Sequence, residues 1–194
     1  MRTAALVEPG LFSCAEASAM RLDGDSFDLG LSPVAVDAVV GPEVRAGSLL
    51  PAALHPAVVV DTWTAAWVHG ASPALPNPLT LAVDLARGRA LRSMRPAPRE
   101  ARFGPGEVVR LGGVRVTSPL KTAFDLLLRD GAAAEATARD LLRLTGLDAD
   151  ETASRIAAMP KHNGKHRVAA RARALLLGPA PSGADQAAET RYTS

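Results

Sequence analysis

A single cysteine, Cys14, among 194 residues excludes an internal disulfide and any metal site built on a cysteine cluster. A lone thiol in an aliphatic chain is expected to behave as a small buried hydrophobe. Aromatic residues are scarce as well, at 4% against 47% hydrophobic residues, so any core must be filled mainly by Leu, Val and Ala. No apolar run is long enough for a membrane span: the run ending at Val60 meets Asp61 at once. Glu8 and the Pro9-Gly10 turn come too early for the apolar region of a signal peptide. These absences predict a protein of the cytoplasm with no membrane partner.

What the chain does have is punctuation and segregated charge. Its 16 glycines and 15 prolines predict many connections, some of them long. The length suits one domain, or one domain with a small appendage. Residues 1 to 86 carry nine acids and three bases, whereas residues 87 to 121 carry nine bases and two acids. The balance turns acidic again over 122 to 160 and basic from Lys161 onward. Base-rich stretches therefore fall in two places, Arg87-Arg89-Arg92-Arg95-Arg99-Arg102 and Lys161-Lys165-Arg167-Arg171-Arg173. Such segregation permits a basic face for a polyanion or an acidic protein, or simply mutual neutralisation of segments that pack together.

Periodicity gives a coarse map. Residues 11 to 22 read as a helix with Ser13 and Glu16 as a capping box, and Asp23-Gly24-Asp25 as its stop. Phe27, Leu29 and Leu31 alternate as a strand that Pro33 ends, and 48 to 54 suit one or two helical turns. The apolar run Ala57 to Val60 leads to a helix through Thr64 to His69, capped by Asp61 or Thr62 and closed by Gly70. Trp63 and Trp67, four apart, share a face and are expected in or near the core. A strand over 79 to 83 precedes a basic excursion from Asp84 to Pro98. Two strands, 108 to 111 and 114 to 117, flank Gly112-Gly113 as a tight hairpin. Ser118-Pro119 opens a helix whose stripe is Leu120, Phe124, Leu127 and Leu128. Helices follow over 132 to 145, up to Met159, and roughly over 165 to 177, the last directing Arg167 and Arg171 outward. The fold expected is α/β (α+β), a small mixed or antiparallel sheet packed against several helices.

Little of this supports an active site. His55 and His69 stand alone, and His162 and His166 lack accompanying acids and straddle Asn163-Gly164, so neither metal nor cofactor is predicted. There is no GxSxG elbow, no phosphate-cradling GxxxxGK[ST] loop and no dinucleotide fingerprint. Ser118 and Lys121 have the spacing of a Ser-Lys nucleophile pair, but a capping serine already uses its oxygen, and Lys121 is expected to form a helix-surface ion pair with Asp125.

Two segments together carry a family resemblance. Thr64 to Gly70, followed by the string Thr117-Ser118-Pro119-Leu120-Lys121-Thr122-Ala123-Phe124-Asp125-Leu126, resembles actinobacterial proteins related to the AbiEi antitoxins of type IV toxin-antitoxin systems, over roughly residues 12 to 177. The resemblance implies DNA binding, autoregulation of transcription, or neutralisation of a nucleotidyltransferase-like toxin. Relatives commonly open with a winged helix, for which only 11 to 31 are available. Many also continue into a restriction-endonuclease-like domain, of which Glu189 and Arg191 would be a remnant. Lys121, Thr122 and Asp125 carry over as motif positions without a catalytic role.

The sequence thus predicts a degenerate N-terminal segment (1–54), an AbiEi-like core (55–177) and a flexible tail (178–194). The function expected is that of a non-enzymatic DNA-binding or antitoxin-like regulator. Its phosphate contacts would be Arg87, Arg89, Arg92, Arg95, Arg99, Arg102, Lys165, Arg167 and Arg171. Trp63, Trp67, His69, Ser118, Lys121, Thr122 and Asp125 serve as motif or structural residues. The alternatives are an interaction module for an acidic partner without nucleic acid, and a remnant of a restriction-endonuclease-like enzyme.

Overall fold

The computed structural model describes residues 14–53, 55–88, 97–129, 131–159 and 162–178. The chain begins with α1 (Cys14–Leu22), the hairpin β1 (Ser26–Leu29) and β2 (Ser32–Ala35), then α2 (Pro42–Gly47) and a 3-10 turn at Leu50–Ala52. Next come β3 (Val58–Val60), α3 (Thr62–Val68), β4 (Leu81–Asp84) and β5 (Arg99–Ala101). The hairpin β6 (Val108–Leu111) and β7 (Val114–Thr117) leads into α4 (Pro119–Leu127), α5 (Ala132–Leu144), α6 (Ala149–Ala158) and α7 (Lys165–Leu177).

Five strands form one sheet in the order β5-β4-β3-β7-β6. The pairs β3–β4 and β6–β7 are antiparallel, whereas β3–β7 and β4–β5 are parallel. The fold is therefore mixed α/β, with β1 and β2 forming a separate two-stranded ribbon. Val58, Val59 and Val60 are all buried, as a central strand covered on both faces requires. Two aliphatic clusters fill the interior. One joins α2, β3, α3 and β7 through Ala46, Leu49, Val58, Val60, Trp67, Val114 and Val116. The other joins α4 to α7 through Phe124, Leu126, Leu127, Leu141, Leu142, Ile156 and Val168. Each such Leu or Val contributes roughly 1.5–3 kcal/mol on burial.

The Gly112-Gly113 turn forms where expected, with φ of +51° and +82°, the doubly positive geometry of a two-residue hairpin. Gly112 has a second reason to be glycine. A Cβ there would lie 2.2 Å from the Glu43 carbonyl oxygen of α2, and its N–H donates to the Glu43 carboxylate. This contact ties residues 42–53 to the sheet, so the expected boundary at residue 54 does not separate two cores.

Several expectations are corrected. Pro33 does not end a strand but sits within β2, opposite Asp28, in a ribbon whose edges tolerate a missing N–H. The helical turn expected over 48 to 54 is the 3-10 turn at Leu50–Ala52, and an unexpected helix, α2, precedes it from Pro42, which suits a first helical position. Of Ala136, Leu141, Leu142 and Leu144, the residues expected to form the buried stripe of α5, only Leu141 and Leu142 are buried; Ala134 and Ala138 complete the face, and Ala136 and Leu144 are exposed. Trp63 and Trp67 do not share a cluster, since Trp63 packs beside the α4–α7 group and Trp67 beside the sheet. The helix α3 is thin and lies between both clusters, so its opposite sides are each covered. Ser13 and the Cys14 side chain lie outside the described residues, as does the 179–194 segment.

Candidate functional site

The strand β3 runs straight into α3 at Asp61, whose extended backbone places it at the N-cap. Its carboxylate makes no cap and instead accepts from Arg99 Nε, on the outer strand β5. Thr62, the next residue, has φ of +47°, a strained value for a β-branched side chain. A threonine brace holds this corner. Thr64 N donates to Thr80 Oγ1 at 2.9 Å, Thr80 N donates to Thr64 Oγ1 at 2.7 Å, and Thr80 Oγ1 donates to the Asp61 carbonyl at 2.5 Å.

From Asp61 a line of alternating charges crosses to α4. Arg99 Nη2 donates to Asp125 Oδ2 at 2.9 Å, and Lys121 Nζ donates to Asp125 Oδ1 at 2.5 Å. Lys121 is 1% exposed, with its ammonium 5.0 Å from the centre of the Phe124 ring. Burial pushes the Asp61 carboxyl up from its ordinary value, and the charge and hydrogen bond of Arg99 pull the other way. Two acids and two bases thus neutralise one another, with Asp61, Lys121 and Asp125 buried and the Arg99 side chain 41% exposed. Lys121 is corrected by this geometry: its ion pair with Asp125 is buried, not a surface pair, because α4 is packed among α3, α5, α6 and α7 and Arg99 of β5 reaches over to Asp125.

A cleft of about 660 Å³ opens over the network, between β5 with the residues that follow it and α4. Arg99, Arg102, Phe103, Lys121, Leu128 and His162 are among its lining. From its wall His162 Nε2 meets Glu107 Oε1 at 2.7 Å, and Glu107 Oε2 accepts from Gly104 N at 2.9 Å. The His162 ring packs 5.1 Å from Phe124. Among the described residues no group of three or more His, Cys, Asp or Glu is placed to hold a metal ion. No helix among them is long and apolar enough to cross a membrane.

Family models, curated proteins and solved structures yield no match to the chain.

The expected phosphate contacts divide sharply. Arg102 is exposed on the lip of the cleft, with no ion pair among the described residues. The Arg87 side chain is 63% exposed, its Nε 3.8 Å from Asp84. Arg167 is exposed at the start of α7. Arg89, Arg92 and Arg95 lie outside the described residues. Arg99, by contrast, is not in a loop but in β5, where it is engaged by Asp61 and Asp125. Lys165 Nζ donates to the Met159 carbonyl at 3.3 Å, beyond the end of α6. Arg171 does not point outward: it donates to the Leu127 carbonyl and to Glu135, both at 2.7 Å, and clamps α7 to α4 and α5.

Three of the motif residues, His69, Ser118 and Thr122, meet where β7 enters α4. Ser118 Oγ accepts from Lys121 N at 3.4 Å and caps α4. Thr122, fully buried, donates its hydroxyl to the Ser118 carbonyl at 2.9 Å and meets Thr117 Oγ1 at 2.7 Å. His69 Nε2 reaches the Thr117 carbonyl at 2.7 Å from the end of α3, and burial pulls its pKa down. The string that carries the family resemblance therefore knits β7, α3, α4 and β5 together. Sequence reasoning missed Asp61, Asp84 and Glu107 as site residues. The available signal was an acid directly after a buried apolar run, which Asp61 and Asp84 both show.

Proposed function

We propose that the chain is a non-enzymatic DNA-binding or antitoxin-like regulatory protein that meets duplex phosphates through the arginine-rich segment 87–102. The observation that carries this reading is the placement of Arg102 and Arg87. Both are exposed, at the two ends of that segment; Arg87 stands 3.8 Å from Asp84, and Arg99 is engaged by Asp61 and Asp125. Arg89, Arg92 and Arg95 fall between them in sequence. Arginine forks suit phosphate oxygens, and such contacts position a protein without reading bases. The absence of catalysis in this reading rests on mutual satisfaction: Asp125 holds Lys121, and Ser118 caps a helix. A nucleotidyltransferase-like toxin is the protein partner that the family resemblance would supply.

The test is a fluorescence-anisotropy titration of duplex DNA at about 50 and about 200 mM salt, comparing wild type with Arg89→Glu/Arg92→Glu/Arg95→Glu/Arg102→Glu. Binding should fall with a log-log slope near −0.9 per phosphate neutralised, and the variant should lose affinity for all sequences alike. Salt-insensitive or absent binding by the wild type overturns the proposal.

A further inference from the structure

Three arginines converge on a small pocket at the end of the sheet where β3 and β7 begin and β4 ends. Arg87 follows β4, Arg110 lies on β6 and Arg115 on β7, and His55 precedes β3; together they line a cavity of about 170 Å³. We propose that this pocket binds a phosphate dianion, either inorganic phosphate or the terminal phosphate of a phosphomonoester. It goes beyond the duplex reading, since it needs one phosphate group and none of Arg89, Arg92, Arg95 or Arg102.

Charge is the first argument. Arg115 Nη2 donates to Asp84 Oδ2 at 2.7 Å, and Arg87 Nε stands 3.8 Å from the same oxygen. One buried carboxylate is therefore shared by two guanidiniums. Arg110 has no ion pair or hydrogen bond among the described residues, and the hairpin register sets it directly opposite Arg115. Like charges in that relationship repel, so the free protein carries a cost that an anion between them would remove. Three guanidiniums against one carboxylate leave an excess of about two positive charges. A phosphomonoester carries about −1.5 to −2 near neutral pH and matches that excess, whereas each diester phosphate of a nucleic-acid backbone carries one charge.

Geometry is the second argument. Arg115 Nη1 donates to the Pro56 carbonyl at 3.1 Å, so its guanidinium is fixed from two sides before any ligand arrives. Ala57 N donates to His55 Nδ1 at 3.1 Å. With Nδ1 accepting, the ring hydrogen lies on Nε2, where it is a further donor. The cavity has room for a phosphate group and a few bridging waters. A preorganised fork with two exposed arginines around it is a good arrangement for tetrahedral oxyanions.

The experiment follows thermal unfolding as inorganic phosphate replaces chloride at constant ionic strength, for wild type, Arg110→Ala and Arg89→Glu/Arg92→Glu/Arg95→Glu. Wild type should show a saturable rise in Tm. Arg110→Ala, which removes an exposed and unpaired side chain, should have an unchanged or higher Tm in chloride and a Kd for phosphate at least tenfold weaker. The triple variant should bind phosphate like wild type, which separates this pocket from the duplex surface. Competition by a short duplex bearing a 5′-phosphate against one bearing a 5′-hydroxyl identifies the source. A tenfold advantage of the phosphorylated end, lost in Arg110→Ala, assigns a nucleic-acid terminus, and equal competition assigns free phosphate. No saturable response in wild type, or the same Kd in Arg110→Ala, overturns the proposal.

Discussion

Lys121 Nζ lies 2.5 Å from Asp125 Oδ1, while the other oxygen of that carboxylate accepts from Arg99. The two partners of this pair are therefore unequal. Losing Lys121 leaves Asp125 still held by one cation, but losing Asp125 leaves a buried ammonium with none.

Asp125→Ala should accordingly destabilise the fold by about 3–5 kcal/mol, the cost of an uncompensated buried charge. Lys121→Met should cost clearly less, and Lys121→Met/Asp125→Leu less than Asp125→Ala alone. Urea unfolding of the three variants checks the order, and equal losses for the two single variants would refute it.

Ser118→Ala removes the cap of α4. The hydrogen bond is long, at 3.4 Å, so the loss belongs at the lower end of capping effects, about 0.5–1 kcal/mol. Denaturant titration of the variant with no change in midpoint would show that the hydroxyl contributes nothing.

Trp67, 4% exposed beneath Arg45, should be the costlier of the two tryptophans. Trp67→Ala is expected to lose roughly 3–5 kcal/mol, and Trp63→Ala less, because Trp63 is only partly covered. Comparing both by chemical denaturation tests whether the pair acts as two separate anchors.

His69 makes stability depend on pH. Burial lowers its pKa from the usual 6.5, against the opposing hydrogen bond to the Thr117 carbonyl. The unfolded chain therefore binds a proton before the folded one does. Stability should be intact above about pH 6.5 and decline as the pH falls from there toward the lowered value in the fold. His69→Gln should flatten the loss that sets in below about pH 6.5. Parallel curves for wild type and variant would exclude this source of acid sensitivity.

Local chemistry made much of the second half legible. The paired glycines at 112 and 113 and the Ser118-Pro119 helix start each state their geometry in adjacent residues, and both are found. The element β5 was not legible, because three residues bearing two charges offer no apolar alternation, and its strand exists through pairing with β4. For the same reason Arg99 read as loop and phosphate contact, when long-range partners 38 and 26 positions away in sequence claim it. The Lys121–Asp125 pair was readable from its spacing, but its burial depended on where α4 docks. Arg110 and Arg115 were visible only as strand residues until the hairpin and the end of β4 came together.

The parallel pairing of Val60 with Val116 also fixes a sequence of events during synthesis. When Val58, Val59 and Val60 leave the ribosome, the β7 side of their strand has no partner until the whole stretch through Val116 has been made. At roughly 5–20 residues per second that wait lasts on the order of several seconds. Over that interval a short β-branched run stands with one edge open, and self-association through it competes with folding. Arrival of the β6–β7 hairpin, which closes by itself around Gly112 and Gly113, ends the exposure in one step and at the same moment gives α2 its seat.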